Sequence, residues 1–156
     1  MQRLGCDLVG YLPSNTIAPI IQQLERARPP GTIFPVSREE EAVGILGALP
    51  LAGRFGAVIM QDNGFGNALT ALTTFTLAYH LPLLIVANTR GGLGEYNSMI
   101  HTISAAVPEM LRAAGIPVFT LDRRNPPEDW HATVYEAGRH AQMTYRPVVV
   151  LLEFFA

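Results

Sequence analysis

Ser37–Asn67, SREEEAVGILGALPLAGRFGAVIMQDNGFGN, contains an acid-rich helix start, an apolar strand, and a glycine-rich loop that opens a second helix. Glu39 shares a stripe with Ala42, Val43 and Leu46, at spacings of three, four and seven, which is the face a helix buries. Glu41 falls off that stripe, with Ile45 and Ala48. Ser37 is placed to cap the helix, and Glu40 three residues on completes a capping box. A carboxylate on a buried stripe is costly unless something binds it. Two readings of the three acids stay open: all complement the helix dipole, or Glu39 turns inward to meet a ligand.

Outward from this stretch, apolar runs alternate with helical patterns. The strands expected are Leu8–Leu12, Thr32–Val36, Ala57–Met60, Leu83–Ala87, Val118–Leu121 and Val148–Phe154. The helices expected are Asn15–Arg28, Arg38–Leu49, Gly66–Tyr79, a stretch ending in Ala105–Ala114, and Pro127–Thr144. Strands alternating with helices predict βαβ units and a mainly parallel sheet of six strands covered on both faces. Residues 1–156 read as one domain, with no repeat or linker. Ligands on such sheets bind at the carboxyl ends of strands. The loops to watch are therefore Leu12-Pro13-Ser14-Asn15, Val36-Ser37-Arg38-Glu39, Gln61–Asn67 and Asn88–Gly92.

Composition narrows the chemistry. Hydrophobic residues make up 49% of the chain and charged residues 15%, an apolar balance that predicts surface reserved for other subunits. A formal charge of -2 argues against nucleic acid or an anionic membrane as partner. All 11 basic residues are arginine, which excludes a lysine Schiff base and the lysine of a Walker loop. The single cysteine, Cys6, excludes an intrachain disulfide and Cys-cluster metal sites, and reads as a core residue. No signal peptide or run of about 18 apolar residues is visible, so a cytoplasmic location is expected.

The polar loops divide into a few constellations. Gly64-Phe65-Gly66 lacks the third glycine of a dinucleotide fingerprint; either it cradles phosphate or it lets backbone approach a flat ring. Gln61, Asp62, Asn63 and Asn67 are either a binding cluster or ordinary strand-exit turn chemistry. Arg90 opens a long loop running to about Ser104, where an arginine either suits a sulfonate, phosphonate or carboxylate or stands as a solvated surface residue. His101 lies in the same loop. His80, His131 and His140 fall on or beside helices, and no histidine pair has metal-ligand spacing. Ser14 shows no triad arrangement, and Trp130 reads as a packing residue.

REEEAVGILGALPLAG, GAVIMQDNGFGNALTALTTF, LPLLIVANTRGG and PEMLRAAGIPVFTL resemble the pyrimidine-binding (PYR) domain of thiamine-diphosphate-dependent decarboxylases. The likeness runs over nearly the whole chain and is greatest to the sulfopyruvate and phosphonopyruvate decarboxylases. Met60–Asn67, MQDNGFGN, resembles the family's M-Q-N-S-G-x-G-N, with Asp62-Asn63 in place of Asn-Ser. The resemblance implies a three-layer αβα, doubly wound fold. It places the family's catalytic glutamate, which opens an E-x-x-A-V pattern, on Glu39, or on Glu40 if the register slips by one. In that role a buried carboxyl exchanges a proton with the aminopyrimidine of thiamine diphosphate.

By the same resemblance Gln61, Asn63, Gly64, Phe65 and Asn67 join Glu39 around the cofactor. Pro13, Ser14, Asn15 and Arg90 are candidates for the substrate's acidic end, and His101 for a proton relay. The family holds diphosphate and Mg²⁺ through a G-D-G motif on a second (PP) domain, and no G-D-G occurs here. The expectation is an alpha subunit active only with a separate beta chain, as an α2β2 assembly decarboxylating a 2-oxoacid such as sulfopyruvate. Decarboxylation of a phosphono- or arylpyruvate, carboligation, or a non-catalytic subunit of the same fold remain alternatives.

Overall fold

The computed structural model describes residues 4–154. The end of the apolar terminus, Phe155-Ala156, lies outside the described residues. Six strands form one sheet: β1 (Leu8–Tyr11), β2 (Ile33–Pro35), β3 (Gly56–Gln61), β4 (Leu83–Asn88), β5 (Val118–Asp122) and β6 (Pro147–Glu153). Their order is β2-β1-β3-β4-β6-β5, and every neighbouring pair is parallel. The chain leaves β1 toward β2 on one side and returns to β3 on the other, so the winding reverses between β1 and β3. Open α/β sheets bind ligands at such a switch point.

The helices are α1 (Ala18–Ala27), α2 (Glu39–Ala48), α3 (Phe65–Ala71), α4 (His101–Ala113) and α5 (Pro127–Thr144). Strand residues alternate between two cores because successive side chains point to opposite faces. Val58, Met60, Ile85 and Val149 meet Val43 and Leu46 of α2, Ala68 of α3 and Val107 of α4. Ile59, Leu84, Val86 and Val150 meet Ile21 of α1 and Ala137 of α5. This is the three-layer αβα arrangement expected. Gly56 lets α2 press onto β3, since a Cβ there would stand 2.8 Å from the Leu46 carbonyl.

Local differences from the expected elements have physical causes. The helix after β1 begins at Ala18 rather than Asn15, because Pro19 in the first turn has no N–H to give and suits a helix start. The helix expected over Gly66–Tyr79 is α-helical only to Ala71 and then widens into a π-turn over Leu72–Leu77. There Thr73, Thr74 and Thr76 hydroxyls donate back to the carbonyls of Leu69, Thr70 and Leu72, a pattern that distorts helices. The Arg90–Ser104 loop is shorter than expected, since α4 already starts at His101.

Two expected packing residues behave as such. Cys6 is buried, its Sγ donates to the Leu8 carbonyl, and burial pushes its thiol up to about 11, which makes it inert. Trp130 stacks on Phe154 with ring centroids 5.9 Å apart. Among the described residues no helix is long and apolar enough to cross a membrane.

Candidate active site

Both halves of the candidate site stand at the carboxyl edge of the sheet. The first is built around Glu39, the first residue of α2. Ala42, Val43 and Leu46 are fully buried on the stripe read from the sequence, Glu39 is half-buried at its head, and Glu41 is exposed. The Glu39 carboxyl rests on the corner between β3 and α3. A Cβ on Gly64 would lie 2.5 Å from Glu39 Cγ and 2.7 Å from its Oε1, so only glycine leaves the carboxyl this position. Asn67, the third residue of α3, donates from Nδ2 to Glu39 Oε2 at 3.0 Å. Beside them the Asn63 Oδ1 is buried with no hydrogen-bond partner.

The capping box read from the sequence is not formed. Arg38, not Ser37, is the N-cap, so the helix frame shifts by one residue and the third-position acid becomes Glu41. Glu41 Oε2 accepts the Ser37 N–H at 3.0 Å. Glu40 pairs through Oε1 with Arg38 at 2.5 Å and leaves Oε2 buried without a hydrogen-bond partner; its own backbone N–H first, and then the Arg38 hydrogen bond, hold its carboxyl below the usual range. Of the three acids, Glu39 alone is placed in the corner with Gly64 and Asn67.

The second half is a polar cavity of about 420 Å³ lined by Pro13, Ser14, Asn15, Thr16, Gln61 and Arg90. All four residues read from sequence as substrate contacts are here, joined by Gln61. Gln61 and Asn88 end adjacent strands in register. Gln61 Nε2 donates to Ser14 Oγ and, at 3.2 Å, to Thr16 Oγ1, which also receives Asn88 Nδ2 at 3.3 Å. Thr16 was not singled out in the sequence, because nothing local marks it, and Asn88 was read only as the head of the loop Asn88–Gly92. Phe65, read from the sequence as a cofactor contact, is fully buried and belongs to the core cluster with Val43 and Leu46 of α2 and Val107 of α4.

Asp62 links the two halves. Its carboxyl is 1% exposed and accepts the Arg90 N–H at 3.0 Å and the Ser104 hydroxyl at 2.9 Å. Burial pushes its pKa up against the pull of those donors. Arg90, expected to be open to a substrate, already donates from Nε to Glu95 Oε2 at 2.5 Å. His101 stands at the start of α4 instead of in the loop, and its Nε2–H donates to the Glu95 carbonyl at 3.1 Å. A carbonyl only accepts, so this contact places the proton on Nε2.

Glu95 is held down at about 2, first by the Arg90 hydrogen bond and then by the Asn97 N–H. A carboxyl held low in the folded chain stabilises it fully above its ordinary value of 4.5, and that contribution is lost as pH falls from there toward 2. In urea denaturation Glu95→Gln is therefore less stable than the wild type at pH 6, and the gap narrows at pH 3. An equal gap at both values overturns this reading of the pair.

A larger trough of about 650 Å³ lies on the opposite face, between α1 and α5, with Ile20, Leu24, Ile59, Val86, Trp130 and Leu152 in its lining. It holds none of the acids described above. Among the described residues no group of three His, Cys, Asp or Glu side chains is placed to hold a metal ion.

No family model matches the chain. It is 29% identical over 153 residues to the sulfopyruvate decarboxylase subunit alpha of Methanothermobacter thermautotrophicus, covering 98% of this chain and 90% of that one. Phosphonopyruvate decarboxylase of Streptomyces viridochromogenes is 26% identical over 104 residues, covering 67% of this chain and 26% of that protein. Benzoylformate decarboxylase from Polynucleobacter necessarius shares the fold, with a TM-score of 0.66 at 22% identity over 97% of this chain. The chain spans 28% of that protein's length. The resemblance read from the sequence is borne out by these relatives, and the fold by the solved structure.

Proposed function

We propose that this chain is the pyrimidine-binding alpha subunit of a thiamine-diphosphate-dependent 2-oxoacid decarboxylase of the sulfopyruvate type. The observation that carries the reading is the Glu39 carboxyl, seated on Gly64 and held through one oxygen by Asn67 at the ligand-binding edge of the sheet. The near full-length likeness to a sulfopyruvate decarboxylase alpha subunit supports the substrate class.

The residues present fit an aminopyrimidine. Its edge offers a ring nitrogen and an amino group, and the corner offers a carboxyl and the unpartnered buried acceptor Asn63 Oδ1. When bound, thiamine diphosphate supplies the electron sink for the carbon–carbon bond that breaks. Glu39 Oε1, the oxygen that Asn67 leaves free, holds the proton to be shared with the ring. Asn67 fixes the carboxyl's rotation, and Gly64 gives it room. Ser14, Thr16, Gln61 and Arg90 bind the far end of the substrate. His101, with its Nε2 proton turned to the Glu95 carbonyl, keeps Nδ1 for proton relay.

The diphosphate and Mg²⁺ fall to a separate beta chain bearing the PP domain, in an α2β2 assembly. Leu93, Tyr96 and Met99, between 83% and 96% exposed on the loop beside the cavity, support a partner that covers this edge. The chain is to be co-expressed with a G-D-G-bearing partner and assayed for CO₂ release from sulfopyruvate with thiamine diphosphate and Mg²⁺. Activity of the pair and none from either chain alone is the expected result. Failure to release CO₂ from any 2-oxoacid overturns the proposal.

A further inference from the structure

The arginine of the polar cavity is already neutralised. Arg90 and Glu95 are paired at 2.5 Å with side chains only 12% and 7% exposed, and Glu95 is fixed from behind by the Asn97 N–H at 2.9 Å. On the backbone side the Arg90 N–H meets a second carboxyl, Asp62, at 3.0 Å. The other lining residues, Pro13, Ser14, Asn15, Thr16 and Gln61, are uncharged. This chain's share of the cavity is therefore rich in hydrogen-bonding groups but carries no surplus positive charge.

We propose that Glu95 is a specificity-determining residue: by cancelling the charge of Arg90 it selects a substrate whose distal group is a singly charged oxyanion, a sulfonate, and disfavours a doubly charged phosphonate. The inference rests on the function proposed above and deepens it. Sulfonate and phosphonate heads present similar tetrahedral sets of three oxygens, and the terminal nitrogens of a guanidinium can serve either. Shape does not separate them, whereas charge does. The sulfonate stays at one negative charge, but a phosphonate, like a phosphate, loses its second proton near neutral pH. That second charge meets the Glu95 carboxylate behind the guanidinium, where shelter from water makes repulsion worth about tenfold or more in binding.

The ionisable groups facing the pair are Asp62 from the β3 exit and His101 from α4. Glu95 itself stays ionised throughout the neutral range. Measuring sulfopyruvate beside phosphonopyruvate at each pH cancels any titration of His101 or Asp62 that acts on both alike.

The test uses the assembled two-chain enzyme with both substrates between pH 5.5 and 8. In the wild type the ratio of kcat/KM for sulfopyruvate over phosphonopyruvate should rise about tenfold across that range. Glu95→Gln, whose amide oxygen still accepts the Arg90 Nε–H, should flatten the rise and lower the ratio at pH 8 about tenfold, through KM more than kcat. Glu95→Asp, which keeps the charge, should retain the sulfonate preference. An active enzyme whose ratio is unmoved by Glu95→Gln, or whose variant loses both substrates equally, overturns this inference alone. A wild-type assembly that decarboxylates no 2-oxoacid overturns it together with the function.

Discussion

Glu39→Gln lowers turnover of the assembled enzyme by at least about 10²-fold, the scale on which a proton-transferring group acts. Glutamine fills the same space, and its carbonyl oxygen accepts the Asn67 Nδ2–H as Glu39 Oε2 does. The free position then carries an amide NH₂ that cannot exchange a proton at working pH, so the shape survives and the chemistry does not. Stability changes little, because an acid in the first turn of a helix contributes only a few tenths to about 1 kcal/mol through the dipole. Rapid-quench CO₂ release and a thermal melt of the same preparation separate the two effects. Full activity in this variant removes Glu39 from the mechanism.

Gly64→Ala should lower turnover by about 10- to 10²-fold with the fold intact, for a different reason. Gly64 has φ −64° and ψ −15°, a conformation any residue adopts, so the substitution brings no backbone strain. The obstacle is the Glu39 side chain, whose Cγ, Oε1 and Cδ would lie 2.5, 2.7 and 2.9 Å from the new Cβ. A flexible side chain yields before backbone does, so the carboxyl moves and loses its bond to Asn67. A displacement of about 1 Å at a reacting group costs on the order of 10²-fold. The melting temperature should stay within a few degrees of the wild type, and the loss should fall on kcat. Loss of the folded state instead would mean that backbone, not Glu39, fills the space.

These two expectations show how the glycine-rich loop is used. The sequence left open whether Gly64-Phe65-Gly66 cradles phosphate or admits a flat ring. In the structure Gly64 makes room for the catalytic candidate's own carboxyl, Phe65 belongs to the core, and Gly66 faces Ile103 of α4. A glycine's neighbour comes from another element, so local pattern announces the need for space without naming what occupies it.

Much of the architecture was legible because it depends on period. Alternation of apolar strands with helical patterns is a local property, and it predicted a parallel, two-sided sheet and the bounds of α5, Pro127–Thr144. The 3.6-residue stripe of Glu39, Ala42, Val43 and Leu46 likewise put one acid on the face a helix buries before any packing was known, while leaving open whether it met a ligand. The capping box failed because a frame shift of one residue changes which acid reaches back, and spacing alone does not fix where a helix begins.

Taken by itself, the sequence determined the layers, the strand ends that carry polar loops, and the face on which Glu39 lies, since each follows from the repeat of helix or strand. Tertiary structure alone decided that Thr16 meets Gln61 and Asn88, that Asp62 ties Arg90 to Ser104, and that Glu95 neutralises the arginine of the cavity. Most of those groups are brought together because β1, β3 and β4 lie side by side in the order β2-β1-β3-β4-β6-β5, and strand order is set by how the whole chain closes its core.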